Sequence, residues 1–146
     1  MVEISGGDKL EKAMQELARK LGRGGEVRVG YLAASHYPDG TPTALIGAIM
    51  EFGSARIPPR PAIRSMIAAK AKGWPESAAS ILKHTNNNVP LTLQLLGEGI
   101  KGQWVESMRD LTSPPLAPTT IARKGFSKPL IESGHLISSV AVEVDA

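Results

Sequence analysis

From Asp8 onward the apolar residues Leu10, Ala13, Met14, Leu17, Ala18 and Leu21 recur at three- and four-residue steps, which is the stripe of an amphipathic helix. Asp8 can cap that helix and Gly22 can end it. After the glycine-rich joint at 22–25 the period changes. Glu26-Val27-Arg28-Val29-Gly30-Tyr31 alternates apolar and polar, as a strand with one buried face does, and Val140-Ala141-Val142-Glu143-Val144-Asp145 repeats the pattern. A lone two-stranded sheet is marginal in water, so these strands, about 26–31 and about 139–145, are expected to pair with each other and lie on helices. The predicted class is α+β, mainly helical, with a small antiparallel sheet closed by the C-terminal segment.

The middle of the chain reads as helices punctuated by proline and glycine. Tyr37-Pro38-Asp39-Gly40 is a turn, and Thr41-Pro42 is read as an N-cap followed by a first-turn proline. The helix that follows, about Thr43 to Phe52, is expected to present Leu45, Ala48, Ile49 and Phe52 on one face and to end at Gly53. Each proline of Ile57-Pro58-Pro59-Arg60-Pro61 biases its predecessor toward extended backbone, and Pro61 can open the next helix, which carries Ile63, Met66 and Ile67. A kink or restart is expected at Gly73-Trp74-Pro75, before Ala78, Ile81 and Leu82 resume helical spacing. Asn86-Asn87-Asn88 is a turn with a good cap. Pro90 opens a last long helix with a buried stripe of Leu93, Leu96, Ile100, Trp104, Met108 and Leu111, and this helix must stop before Pro114-Pro115.

Composition narrows the chemistry. At 146 residues the chain is one domain's worth. It has no cysteine, which removes disulfide scaffolds, thiolate metal sites and thiol nucleophiles. The formal net charge of +3 is mild and spread along the chain. No apolar run approaches the about 20 residues of a membrane span, and the first residues lack the basic-then-apolar order of a secretory signal. A soluble protein made and first used in a cytoplasm is therefore expected.

Candidate catalytic signals are weak. Gly97-Glu98-Gly99-Ile100-Lys101-Gly102 has the spacing of a dinucleotide-binding loop, but no second strand with an acidic residue follows it. Close approach of a helix to a neighbour explains it better. His36, His84 and His135 sit in separate segments, and the serines belong to no nucleophile-elbow or phosphate-loop pattern. Glu51, near the end of an apolar helix, is expected to pair with Arg56, Arg60 or Arg64. The chain is not expected to be an enzyme, nor to need a cofactor or metal. Two basic stretches remain: Arg56, Arg60, Arg64, Lys70 and Lys72 with no acid among them, and Arg123, Lys124 and Lys128. Neither is interleaved with aromatics suited to base stacking.

Two segments carry a family resemblance. Pro114-Pro115-Leu116-Ala117-Pro118-Thr119-Thr120-Ile121-Ala122-Arg123-Lys124-Gly125, continued by Lys128-Pro129-Leu130-Ile131-Glu132-Ser133-Gly134-His135-Leu136, resembles the C-terminal signature of the virion morphogenesis family of tailed bacteriophages, which includes tail-completion and neck proteins. Glu51-Phe52-Gly53 followed by Ile57-Pro58-Pro59-Arg60-Pro61 resembles that family's second signature, and the resemblance runs from about Val27 to the C-terminus. Pro59 stands where the family has a small residue, and Ile131-Glu132-Ser133 replaces Ile-Asp-Thr. Physically, Pro118, Ile121 and Gly125 describe one short helix, and Ser133 can cap a second in which Leu136 and Ile137 turn inward.

The resemblance implies a virion structural protein that forms a ring at the head-proximal end of the tail and supports head-tail joining. Its implied partners are copies of itself, a tail terminator or tail tube protein, and a head-side connector. Such a protein resides in the virion neck or tail and in the host cytoplasm during assembly. A ring needs a heterologous interface that closes. The proline-stiffened loops at 33–43, 54–60 and 112–118 suit contacts with neighbours. Candidate inter-subunit or partner contacts are Arg56, Pro58, Pro59, Arg60, Pro61, Pro114, Pro115, Arg123, Lys124 and Lys128. The lumen of such a ring passes DNA, which makes Arg60, Arg64, Arg123 and Lys124 the candidate DNA-facing residues. The alternative is a DNA-binding accessory protein that uses the stretches Arg56–Lys72 and Arg123–Lys128.

Overall fold

The computed structural model describes residues 7–22, 24–111 and 134–146. In chain order it contains α1 (Gly7–Leu21), β1 (Glu26–Tyr31), α2 (Thr43–Phe52), α3 (Ala62–Lys70), a 3₁₀ turn (Ala71–Gly73), α4 (Trp74–His84), α5 (Val89–Asp110), α6 (His135–Ser138) and β2 (Val140–Asp145). The fold is α+β, mainly helical with one two-stranded antiparallel sheet.

The strand register follows from the period-2 pattern. Val27 faces Val144, Val29 faces Val142 and Tyr31 faces Val140, so the apolar residues of both strands share one face. That face lies on α5. A Cβ at Gly97 would come within 2.5 Å of Val142 and 2.7 Å of Val27, so the helix lies against the sheet at a distance only glycine permits. A Cβ at Gly99 or Gly102 would meet nothing within 4 Å among the described residues. Of the three glycines in the loop-like motif, one is therefore a packing residue, and all three lie inside a continuous helix. On the opposite face of the sheet Glu26 pairs with Asp145, a repulsive juxtaposition offset by Arg28, whose Nε reaches Glu26 at 2.7 Å. The Glu26 hydrogen bond and charge raise the Arg28 guanidinium above its ordinary value.

The core collects where α3, α5, α6 and the sheet meet: Ala62, Met66, Trp104, Met108, Leu136 and Val140 are buried together. Tyr31 and Trp104 add an edge-on aromatic pair with centroids 5.2 Å apart. The restart at Gly73-Trp74-Pro75 takes the form of the 3₁₀ turn, with Pro75 in the first turn of α4 where its missing N–H costs nothing. Trp74 donates its indole N–H to Gln103 at 2.8 Å, tying α4 to α5. Asn86 and Asn87 adopt left-handed backbone (φ 53° and 61°), and the Asn88 side chain accepts the Leu91 N–H, capping α5.

Two expectations change. Thr41 does not cap α2: Pro42 occupies the cap position, and the first-turn hydroxyl of Thr43 bonds sideways to Ser35 and His135 at 2.9 and 3.0 Å. The stripe of α1 forms as a helix, yet none of its residues is buried. Leu10, Met14 and Leu17 are exposed because α1 packs on no other described element closely enough to cover them. The short helix expected around Pro118–Gly125 and the cap at Ser133 lie outside the described residues.

Candidate interaction surface

Helix α2 packs Ile46 and Met50 against the core only in part and buries its small and polar residues more completely. Its inward row is Thr43, Gly47 and Glu51, spaced by four residues, while Leu45 is 51% exposed and Phe52 68% exposed. Each inward residue has a specific partner. Thr43 anchors a hydroxyl–imidazole chain, Ser35–Thr43–His135, which joins the loop before α2 to α6. Gly47 sits against the Tyr31 ring, which any Cβ there would strike.

Glu51 performs the third task. Its two carboxylate oxygens accept the backbone N–H groups of Ile63 and Arg64 at 3.0 and 2.9 Å, so they cap α3 from a different helix. Arg64 Nε donates to the same carboxylate at 3.1 Å, and Arg64 Nη2 donates to the Glu51 carbonyl at 2.6 Å. The expected pairing of Glu51 is therefore found, with Arg64. The guanidinium carbon also lies 5.1 Å from the centroid of the Phe52 ring.

The proline loop is folded against this corner. Gly53 has φ 77° and ψ −179°, a conformation that side-chain-bearing residues avoid, and a Cβ there would meet Ile57 O at 2.8 Å and Pro59 Cδ at 2.9 Å. Ser54 N–H donates to Ile57 O at 2.8 Å, and Arg60 N–H donates to Met50 O at 2.6 Å. Glu-Phe-Gly and Ile-Pro-Pro-Arg-Pro thus form one unit: the glycine admits the loop, the carboxylate caps the next helix, and the phenylalanine is left outside.

Arg56, Pro58 and Pro59 are exposed, and Pro61 is partly buried at the cap position of α3. Arg60 is only 8% exposed, and its Nε has no hydrogen-bond partner among the described residues. Arg60, expected as a partner-facing or DNA-facing cation, is instead enclosed by the fold. Arg60 precedes the helix, and its backbone bond to Met50 ties it to the buried side of the loop. Arg64 remains on the surface beside Phe52. Pro114, Pro115, Arg123, Lys124 and Lys128 lie outside the described residues.

Loop 33–43 is bonded to itself rather than extended. Tyr37 N–H donates to Thr41 O, Gly40 N–H to Tyr37 O and Thr43 N–H to Ser35 O. The Thr41 amide bonds the Asp39 carboxylate at 2.9 Å and holds it below its ordinary range. Tyr37 also lies against the His135 ring, 4.2 Å between centroids.

Unlike His135, the other two histidines bond locally. His36 bonds Ala34 O and His84 bonds Ser80 O, both at 2.8 Å. Among the described residues no group of three His, Cys, Asp or Glu side chains lies together in a way that could hold a metal ion. No described helix is long and apolar enough to cross a membrane.

The sequence reading missed the outward turn of α2. Leucine, isoleucine and methionine wrap most of its circumference, so apolar periodicity alone does not choose a face. The signal was the row of small and polar residues, Thr43, Gly47 and Glu51, in an otherwise apolar helix.

Beside Phe52 and Arg64 the surface forms a groove of about 270 Å³, bounded by α2, Gly30 and Tyr31 of β1, and Ile63, with Trp104 at its base. Its wall is a phenylalanine and a cation, and its floor includes Gly30, Ala44, Gly47 and Ala48. Such a surface suits an apolar segment from another molecule. No protein-family model, no curated protein and no solved structure matches this chain.

Proposed function

We propose that this chain is a structural component of a phage tail neck, a tail-completion protein that forms a ring at the head-proximal end of the tail and supports head-tail joining. One observation supports the reading most directly. The segment that resembles the phage signature caps, folds back and leaves Phe52 uncovered, next to the exposed Leu45 of the same helix, which supports a role for this face outside the monomer's own core. The partners in this reading are copies of the chain, a tail terminator or tail tube protein, and a head-side connector, with DNA passing through the lumen.

The DNA-binding alternative is the weaker reading. Of the described cations in its first stretch, Arg60 is buried and Arg64 is engaged by Glu51, which leaves Arg56, Lys70 and Lys72 exposed. The test is deletion of the gene from its producing strain, followed by electron microscopy of the particles. Separate full heads and finished but unjoined tails are expected, with joining restored when the protein is supplied. Normal joining in the deletion strain overturns the proposal.

A further inference from the structure

An aspartate followed by glycine is labile in a free chain, because no side chain on the glycine hinders its nitrogen from reaching the aspartate carboxyl group. The turn at Asp39-Gly40 nevertheless calls for both residues. Gly40 has φ 87°, which favours glycine, and a Cβ there would meet nothing within 4 Å among the described residues. Its backbone angle, not crowding, therefore selects it. Asp39 turns Oδ1 onto the Thr41 N–H at 2.9 Å, the side-chain bond that sets a turn of this kind.

We infer that Asp39–Gly40 is a site of isoaspartate formation that the native turn keeps closed. In the reaction the Gly40 nitrogen attacks Cγ of Asp39. A C–N bond forms, and the amide proton and the carboxyl hydroxyl leave together as one water, giving a five-membered succinimide. A second water opens that ring at either carbonyl. One opening returns aspartate; the other leaves isoaspartate, in which the main chain runs through Cβ. No oxidant or reductant is consumed.

The fold engages both reacting groups. Gly40 N–H donates to Tyr37 O at 2.9 Å, which holds the proton that the attack must release. The Thr41 amide holds the Asp39 carboxylate in its ionised form, the poorer electrophile. Asp39 and Gly40 are both exposed, so these bonds, rather than exclusion of water, keep the site closed. The product would also misfit. Tyr37 N–H to Thr41 O and the His36–Pro42 bridge close the turn around residues 37–41, and Thr43 N–H to Ser35 O closes it again at its base. Isoaspartate lengthens one side of that closed loop by one C–C bond, about 1.5 Å. The loop leads into α2, so the Ser35–Thr43–His135 chain is the first tertiary contact that the lesion loosens.

The test needs no substitution. The full-length chain is kept warm at mildly acidic pH, either folded or in guanidinium chloride, beside a synthetic peptide of residues 35–43. Isoaspartate at Asp39 is scored by tandem mass spectrometry, in the tryptic peptide 29–56 for the full chain. Both unfolded samples are expected to gain it about tenfold or more faster than the folded chain, because the native reaction waits for local opening of the turn. Exchange of the Gly40 amide proton in the folded chain should be slowed by a similar factor. Equal rates in folded and unfolded samples overturn the inference, as does a Gly40 amide that exchanges at the free-peptide rate. Absence of isoaspartate from both unfolded samples removes the site altogether.

Discussion

Glu51 and Arg64 meet twice at one carboxylate oxygen: Glu51 Oε1 accepts the backbone N–H of Arg64 at 2.9 Å and its Nε at 3.1 Å. The first bond caps α3, and the second is an ion pair with one buried and one exposed member. These two components make different predictions. Glu51→Ala leaves the N–H groups of Ile63 and Arg64 without their acceptor and is expected to cost about 1–3 kcal/mol. Arg64→Ala keeps the backbone cap and removes the half-exposed guanidinium with its bonds to the Glu51 carboxylate and carbonyl, and should cost about 1 kcal/mol or less. Urea unfolding of the two variants separates them; equal losses would make the ion pair, not the cap, the main contribution.

The glycines of α5 should respond with opposite signs. Gly97→Ala drives a methyl into Val142 and Val27 and is expected to cost about 1–3 kcal/mol. Gly99→Ala meets open space inside a helix and should stabilise by about 0.5–1 kcal/mol. Thermal denaturation decides it, and a destabilising Gly99→Ala would mean that this face of α5 is covered.

Gly53→Ala combines an unfavourable backbone with a clash against Ile57 and Pro59. A loss of about 1–3 kcal/mol is expected. Because the loop and the α3 cap share this corner, amide exchange should quicken at Arg60 and Ile63 before it changes in α5.

The exposed face of α2 predicts a sharp contrast in truncations. Met108→Ala, at a fully buried position, should cost about 2–5 kcal/mol. Leu45→Ser, though it removes a leucine, should fall within about 0.5 kcal/mol of the parent. A large loss at Leu45 in the isolated monomer would show the face to be covered within the chain.

Tyr31 gives a pH signature. Burial pushes its phenol well above its ordinary value, and its O–H points at Met108 Sδ, 3.9 Å away. The unfolded chain releases this proton near pH 10, whereas the folded chain retains it. Stability from this group is complete below about pH 10 and falls as pH rises further, by up to about 1.4 kcal/mol per pH unit. Tyr31→Phe should flatten the alkaline limb by that amount in denaturation curves collected from pH 9 to 12.

The sheet, the punctuation by proline and glycine, and the α5 stripe were legible because each is a local pattern with a single packing solution. Val27, Val29, Val142 and Val144 can share only one face, and Pro75 can be accommodated only in a first turn. The orientation of α2 was not legible in the same way. It depends on Gly47 meeting Tyr31 and on Glu51 meeting the start of α3, relationships that exist only after distant segments are in place. The burial of Arg60 was hidden for a related reason: a basic residue among prolines reads as surface, and it is enclosed only because the loop folds back onto Met50. The surface site was therefore visible as residues in Glu51-Phe52-Gly53 and the proline cluster, but not as a shape.

The pairing of Tyr31 with Val140 spans most of the chain. Residues 30 and 31 bound the groove, so the groove takes shape only after β2 has added itself to β1. A chain cut short before Val140 would still contain every residue that lines the groove, yet it would lack the strand that holds Gly30 and Tyr31 in place. The groove is thus a long-range feature of the fold: its lining comes from residues between Gly30 and Trp104, and its shape is set by the final strand.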